Sequence, residues 1–259
     1  MYLVRYGEVF LKSEPVMRQF LDRLVSNLYP RLRGVKIRKV SGRIVIETEK
    51  DISSVLEHTF GIVSFSGCIA CEKKMETIEE TVKNTAREFR KGKTFAIISS
   101  RSDKSFAFSS KQINEKIGAA VCGMGFKVNL SKPDRKIYIE VRDMCYIYTE
   151  IVKGPGGLPY GTAGKVLAEI KNANDVRAAL MMMKRGAEII PLLGSRHIEE
   201  LNKWSPFPIK AMKLEEAVKE RPMAFVSGKT DKEIISDIRK GKLEKNRHMV
   251  PVFYPLAGE

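Results

Sequence analysis

Thr94-Phe95-Ala96-Ile97-Ile98-Ser99, followed after Ser100 by Arg101-Ser102-Asp103-Lys104-Ser105-Phe106, runs from an apolar strand into a loop crowded with charges and hydroxyls. Ser109 or Ser110 can cap the helix that follows, in which Ile113, Ile117 and Val121 recur at helical spacing. Upstream, Ile78, Val82 and Phe89 mark a second amphipathic helix. Downstream, Ile137–Val141 and Met144–Val152 read as an antiparallel strand pair around Arg142-Asp143. Strands and helices therefore interleave through residues 74–153.

Before this unit, residues 1–73 read β-α-β-β-α-β, a ferredoxin-like order. Tyr2–Phe10 is the first strand, and Ser13 can cap a helix with Pro15 in its first turn and a stripe of Val16, Phe20, Leu24 and Leu28. Val35–Val40 and Arg43–Thr48 are strands joined by Ser41-Gly42, Asp51 can cap the next helix, Gly61 ends it, and Ile62–Ala70 is the last strand. After it, residues 154–161 are dense in Gly and Pro and read as a linker. Lys165–Ile170, Asn174–Arg185 and Ala187–Leu193 then form a strand–helix–strand unit, which suggests a parallel α/β sheet in residues 162–259.

The 259 residues carry a formal net charge of +15. Lys and Arg outnumber Asp and Glu by 13 to 8 in residues 1–75, 15 to 10 in 76–161 and 18 to 13 in 162–259, so the excess is spread over folded domains rather than held in a tail. Such a surface suits a polyanion, although a solvated Lys/Glu-rich surface has the same composition. No apolar run approaches the roughly 18–20 residues that span a bilayer, and the chain starts directly in a strand without a signal-peptide pattern. These features predict a cytoplasmic protein with no membrane partner. The spacing of Cys68-Ile69-Ala70-Cys71 could hold a metal or a redox pair, but no second close pair and no nearby histidine accompanies it, which favours buried thiols.

The loop itself is chemically suited to phosphate. Arg101 and Lys104 sit beside the hydroxyls of Ser102 and Ser105, all short-range donors, and Lys111 lies near a helix start where backbone N–H groups already favour anions. An Asp103–Lys104 surface pair in a solvated loop is the alternative.

The loop, together with Ser110, Ile113-Asn114, Gly118-Ala119-Ala120, Val128-Asn129-Leu130, Pro133-Asp134 and Ile139-Glu140-Val141-Arg142, resembles the THUMP RNA-binding domain, that of tRNA 4-thiouridine synthetases above all. Arg5-Tyr6-Gly7-Glu8 with Leu11-Lys12, Phe60–Ser66, Tyr146–Ile151 and Gly154–Pro159 are similar to the same family, so the resemblance runs through about residues 1–166. It implies a ferredoxin-like domain (1–73) and a THUMP domain (74–153) that together grip the tRNA acceptor end. The RNA-binding residues expected are Arg101, Ser102, Lys104, Ser105, Lys111 and Lys153.

Beyond the linker, Gly161–Leu167 and Met182–Pro191 look like that family's ATP-pyrophosphatase, or PP-loop, domain. The family carries Ser-Gly-Gly-x-Asp-Ser between them, whose glycines let backbone N–H groups wrap pyrophosphate. Here the stretch is Lys171-Asn172-Ala173-Asn174-Asp175-Val176, with only Asp175 a candidate survivor. Gly157 to Gly164 is too long for a P-loop, and Val166 stands where Ser or Thr is needed. Leu192 to Pro222 is shorter than the corresponding family region, and no cysteine follows Cys145, whereas the family uses one there for sulfur transfer. Residues 162–259 are thus expected to form a reduced, degenerate Rossmann-like parallel α/β domain, with Met181-Met182-Met183 as core packing.

Three functions follow as expectations. The first is a tRNA-binding protein without activity of its own, aided by a sulfur-donor or ATP-using partner protein or by forming a homodimer. The second is an active thiolation enzyme using ATP and Mg²⁺, with Ile170, Asp175, Leu193 and Gly228 at the nucleotide. The third is a protein-interaction scaffold that no longer binds RNA.

Overall fold

The computed structural model describes residues 1–7, 13–90, 93–240 and 250–258. The first elements are β1 (Tyr2–Tyr6), α1 (Glu14–Leu28), β2 (Lys36–Val40), β3 (Arg43–Glu47), α2 (Ser53–Glu57), β4 (Ile62–Gly67) and β5 (Ile69–Cys71). There follow α3 (Met75–Arg87), β6 (Thr94–Arg101), α4 (Ser110–Cys122), β7 (Lys127–Val128), β8 (Arg135–Val141), β9 (Cys145–Tyr148) and β10 (Val152–Lys153). The remainder are β11 (Lys165–Ala168), α5 (Ala173–Lys184), β12 (Glu188–Pro191), α6 (Ile198–Asn202), α7 (Leu214–Lys219), β13 (Ala224–Val226), α8 (Asp231–Arg239) and β14 (Val252–Phe253). The ferredoxin-like order β-α-β-β-α-β is present in β1 through β4.

The chain packs as two compact units. One contains Met1–Arg5, Val35–Asp51 and Ser64–Lys153; the other contains Tyr6–Gly34, Ile52–Val63 and Gly154–Glu259. The first unit holds two five-stranded sheets, ordered β10-β4-β1-β3-β2 and β5-β9-β8-β6-β7. The β2–β3 hairpin turns at Gly42, whose φ of 70° is the left-handed conformation a tight turn requires. In the second sheet, Ile137, Ile139 and Val141 of β8 form one core with Ile78 and Val82 of α3 and Ile113, Ile117 and Val121 of α4. The stripes expected from the sequence are therefore the buried faces, except that Phe89 lies beyond the end of α3 and packs half-buried against the same core. Ser109 is the α4 cap, closed by a reciprocal bond with Gln112.

The second unit is built on a parallel sheet ordered β12-β11-β13-β14. Val166, Ala168, Val176, Ala179 and Met183 pack together in its main core. Backbone hydrogen bonds fasten residues 154–161 on two sides: Gly154 N to Val63 O and Gly156 N to Ile62 O (both 2.8 Å), and Gly161 N to Gly186 O (2.9 Å).

Several local expectations need correction. The run Ile62–Ala70 is two strands in different sheets, divided at Cys68, whose N–H bonds the Met1 carbonyl. Met144–Val152 likewise divides into β9 and β10, which join different sheets. A chain crossing between sheets keeps its β-forming composition, so the sequence shows one run. Ile52 rather than Asp51 precedes α2, and Asp51 instead accepts a hydrogen bond from the Tyr2 hydroxyl (2.9 Å). Ser13 caps α1 without a side-chain bond, and in the stripe Leu24 and Leu28 are buried while Val16 and Phe20 are half-buried. The extension of β1 to Phe10, and Glu8 and Leu11-Lys12 in the resemblance, lie outside the described residues.

Candidate functional site

The charged loop leaves the end of β6 and folds on itself. Arg101 Nη1 donates to the carbonyls of Phe106 (3.0 Å) and Phe108 (3.3 Å), so this side chain braces the loop as well as charging it. Ser105 donates to Asp103 from both N (2.9 Å) and Oγ (2.6 Å), and Lys73 Nζ reaches Asp103 at 2.7 Å. Asp103 is thus paired with Lys73 rather than Lys104, and these bonds hold its carboxyl well below the usual carboxylate range. Ser102 N–H bonds the Val141 carbonyl (3.0 Å). Arg101, Ser102, Lys104 and Ser105 are exposed in this one loop, and Lys111 is exposed in the first turn of α4, 3.9 Å from Glu115. Lys153, also exposed, lies on β10 in the other sheet. Lys116 covers the Phe108 ring at 4.3 Å.

A buried ionic centre lies in the same unit. Glu140 on β8 receives Arg5 Nη2 at 3.0 Å, Arg142 Nε and Nη2 at 2.8 and 2.7 Å, and the Tyr148 hydroxyl at 2.8 Å. Arg43 Nε stands 3.1 Å away at an angle that makes no hydrogen bond. Arg5 also stacks over the Tyr148 ring at 4.7 Å and donates to Ser66 Oγ at 3.1 Å. Burial penalises the Glu140 charge, but the Arg43 charge and the Arg142 bonds outweigh it and hold the carboxyl down at about 2. The cluster joins β1, β3 and β4 of one sheet to β8 and β9 of the next, so the two sheets share one charged core. Its sequence signal is slight: Arg142 and Tyr148 lie close to Glu140 in the chain, but Arg43 and Arg5 come from the far N-terminal strands, Arg5 135 residues away.

In the second unit the stretch 171–176 begins α5. Asn172 is the cap: its Oδ1 accepts the N–H groups of Asn174 (2.8 Å) and Asp175 (3.1 Å). Asp175 reaches back. Its Oδ2 accepts Lys171 N (3.0 Å) and Asn172 N (3.2 Å), and its Oδ1 accepts Gly228 N (3.2 Å). A Cβ on Gly228 would come within 2.5 Å of Asn174 C and Asp175 N, so only glycine allows this approach. Asp175 and Gly228 line a cavity of about 230 Å³ beyond the ends of β11 and β13, along with Lys171, Ser227 and Lys229. Lys171 Nζ is paired with Glu169, and Lys229 Nζ with Asp237 at 3.0 Å. Ile170 is buried behind this wall, its N–H donating to Ser195 Oγ (3.0 Å), and Leu193 is 58% exposed; neither lines the cavity.

Cys68 and Cys71 contribute to two different hydrophobic clusters. Burial pushes the Cys68 thiol up to about 12. Cys71 instead faces Cys145 across the β5–β9 ladder, and the hydrogen bond from Cys145 draws the Cys71 thiol below its ordinary value. Among the described residues no group of three His, Cys, Asp or Glu is arranged to hold a metal. No helix among them is long and apolar enough to cross a membrane.

Comparison with known proteins matches residues 1–66 to the ThiI ferredoxin-like domain and residues 72–150 to the THUMP domain. A probable tRNA sulfurtransferase of Caldanaerobacter subterraneus subsp. tengcongensis is 36% identical over 197 residues, 72% of this chain and 51% of that protein. A probable tRNA sulfurtransferase of Methanocaldococcus jannaschii is 36% identical over 218 residues, 78% of this chain and 57% of that one. The chain spans about half the length of the curated relatives it matches. The crystal structure of PH1313 from Pyrococcus horikoshii Ot3 superposes with a TM-score of 0.83 at 28% identity, covering 100% of this chain and 94% of that one. A 4-thiouridine synthetase–RNA complex with bound ATP gives 0.78 at 22% identity, covering 99% of this chain and 81% of that one, and shares the fold.

Proposed function

We propose, for a chain that carries the ThiI-type ferredoxin-like and THUMP domains and is related to the tRNA 4-thiouridine synthetases, that it binds the tRNA acceptor end without ATP-pyrophosphatase or sulfurtransferase activity of its own. The working division is a ferredoxin-like domain (1–73), a THUMP domain (74–153), a linker (154–161) and a degenerate PP-loop-like domain (162–259). RNA phosphates meet Arg101, Ser102, Lys104, Ser105, Lys111 and Lys153, with Arg101 also keeping the loop in shape. A second protein supplies ATP chemistry or sulfur, or two copies of this chain act together, in the cytoplasm.

The observation that carries this reading is the closed N-terminus of α5. Five backbone N–H groups there, those of Lys171, Asn172, Asn174, Asp175 and Gly228, are taken by the side chains of Asn172 and Asp175. A pyrophosphate needs those donors. It would have to displace a tethered carboxylate and accept that carboxylate's negative charge beside its own. The two lysines at the cavity already have acidic partners. The residues present therefore do not fit ATP with its metal in the manner of a PP-loop.

One observation favours the second reading, an active thiolation enzyme. The cavity lies beyond the carboxyl ends of parallel strands, where ligands of such sheets bind, and the curated relatives are described as sulfurtransferases. On that reading Asp175 and Gly228, which line the cavity, contact the nucleotide and Asp175 holds Mg²⁺, while Ile170 and Leu193, expected there from the sequence, stand outside it. Titration with unmodified tRNA across a salt series tests the RNA half of the proposal. With three to six phosphates contacted, log K against log salt falls with a slope of about −3 to −5. Absent binding near physiological salt, or a flat profile, rejects it. Titration with ATP and Mg²⁺ separates the two readings: saturable binding at micromolar ATP favours the enzyme.

A further inference from the structure

Helix α5 has a second polar end. Its last carbonyls are all taken by backbone donors: Met181, Met182 and Met183 by the N–H groups of Arg185, Ala187 and Gly186, and Lys184 by Leu158 N at 2.9 Å. That last bond requires Gly157, where a Cβ would lie 2.3 Å from the Lys184 carbonyl oxygen. Cations in a final helical turn commonly bond the terminal carbonyls. Here the backbone has done so, and Lys184 and Arg185 line a cavity of about 640 Å³. Among the described residues neither has an ion-pair partner and no acidic residue lines the cavity. Its remaining wall is apolar, formed by Met181, Met182, Phe253 and the residues after it, with Phe253 43% exposed.

We propose that this cavity binds one nucleotide of single-stranded RNA, its base stacked on Phe253 and its phosphate held by Lys184 and Arg185. An aromatic face beside unpaired cations is the chemistry that holds an unpaired base with its backbone. The two thioethers adapt to whichever base is present. A neutral apolar ligand would leave both cations unanswered, and a protein segment would have to bring its own acid. The site extends the proposed RNA binding onto the α/β unit and rests on that reading for its biological ligand.

The test uses the full chain and two RNAs, unmodified tRNA and a single-stranded pentanucleotide with 2-aminopurine at its centre. Stacking on Phe253 quenches the 2-aminopurine fluorescence of the bound oligonucleotide. Phe253→Ala should abolish the quenching and weaken binding about 5- to 100-fold, whereas Phe253→Tyr keeps the ring and the signal. If Phe253→Ala proves unstable, Phe253→Leu retains apolar volume without the ring and should behave as the alanine variant. Lys184→Ser with Arg185→Ser removes the one phosphate contact and should shallow the single-strand salt slope by about 0.7. If wild type binds tRNA while the oligonucleotide is unquenched, or is bound equally by all variants, this site is wrong and the proposed function stands. If wild type does not bind tRNA but captures the oligonucleotide through these residues, the site stands and the tRNA reading falls.

Discussion

Glu140 and Asp175 are both internal anions that neutralise positive groups of the chain, and they do so for different ends. Glu140 meets side-chain guanidiniums from three points in the sequence and ties together strands of two sheets. Asp175 meets backbone N–H groups within its own turn and that of Gly228, in the wall of a cavity beyond the strand ends. The first carboxylate gathers cations into a core; the second takes donors away from a site. Loss of the first should therefore register mainly as stability, and loss of the second mainly as a change in what the protein can bind.

Glu140→Gln carries the largest expected effect. It leaves three buried or half-buried guanidiniums without their anion, a loss of roughly 3–5 kcal/mol, read as a melting temperature lower by on the order of 10 °C. The wild-type pH profile gives the same information. With the carboxyl held at about 2 against an ordinary 4.5, its stabilisation is complete above about pH 4.5 and disappears as pH falls through about 2. A thermal-melt series over that range should show wild type losing stability that Glu140→Gln has already lost. An unchanged melting temperature in the variant would mean that the three arginines are held by something else.

Next comes Gly228→Ala, whose added carbon meets backbone atoms at 2.5 Å and should cost roughly 1–3 kcal/mol in chemical unfolding. Asp175→Ala should cost about 1 kcal/mol, as for a lost helix cap. It should also free the N–H groups of Lys171, Asn172 and Gly228 for an added anion. Sulfate should then raise the melting temperature of this variant more than that of wild type. Equal responses would show that Asp175 is not what closes the site. The smallest effect is expected from Lys104→Ala: an unchanged melting temperature and a tRNA salt slope shallower by about 1. Arg101→Ala should weaken tRNA binding further, because it also removes the two bonds that brace the loop.

The parts of this molecule that were legible in the sequence are those encoded by neighbours along the chain. The spacing of Ile113, Ile117 and Val121 declared the buried face of α4, while the cap was narrowed only to Ser109 or Ser110, and the structure places it at Ser109. The missing glycines at 171–176 were visible too, but the way Asn172 and Asp175 consume the freed donors was not. Residue types do not reveal which way a carboxylate turns. The Glu140 centre escaped because its members come from five strands or strand ends, and charged residues read singly look like solvated surface. The division of Ile62–Ala70 between two sheets escaped for the opposite reason, since the same β-forming residues serve both. The opposition of Cys71 and Cys145 depends on strand register and is invisible in the Cys68–Cys71 spacing.

The most direct test of the central claim is product formation by the purified chain alone. Supplied with ATP, Mg²⁺, a sulfur donor and unmodified tRNA, it should release no AMP or pyrophosphate above background and form no 4-thiouridine, while binding the tRNA in the same buffer. Activity that arises only when a partner protein is added agrees with a tRNA-presenting role. Stoichiometric AMP and pyrophosphate release coupled to 4-thiouridine by this chain on its own would contradict it, and would mean that Asp175 yields its backbone donors to the nucleotide.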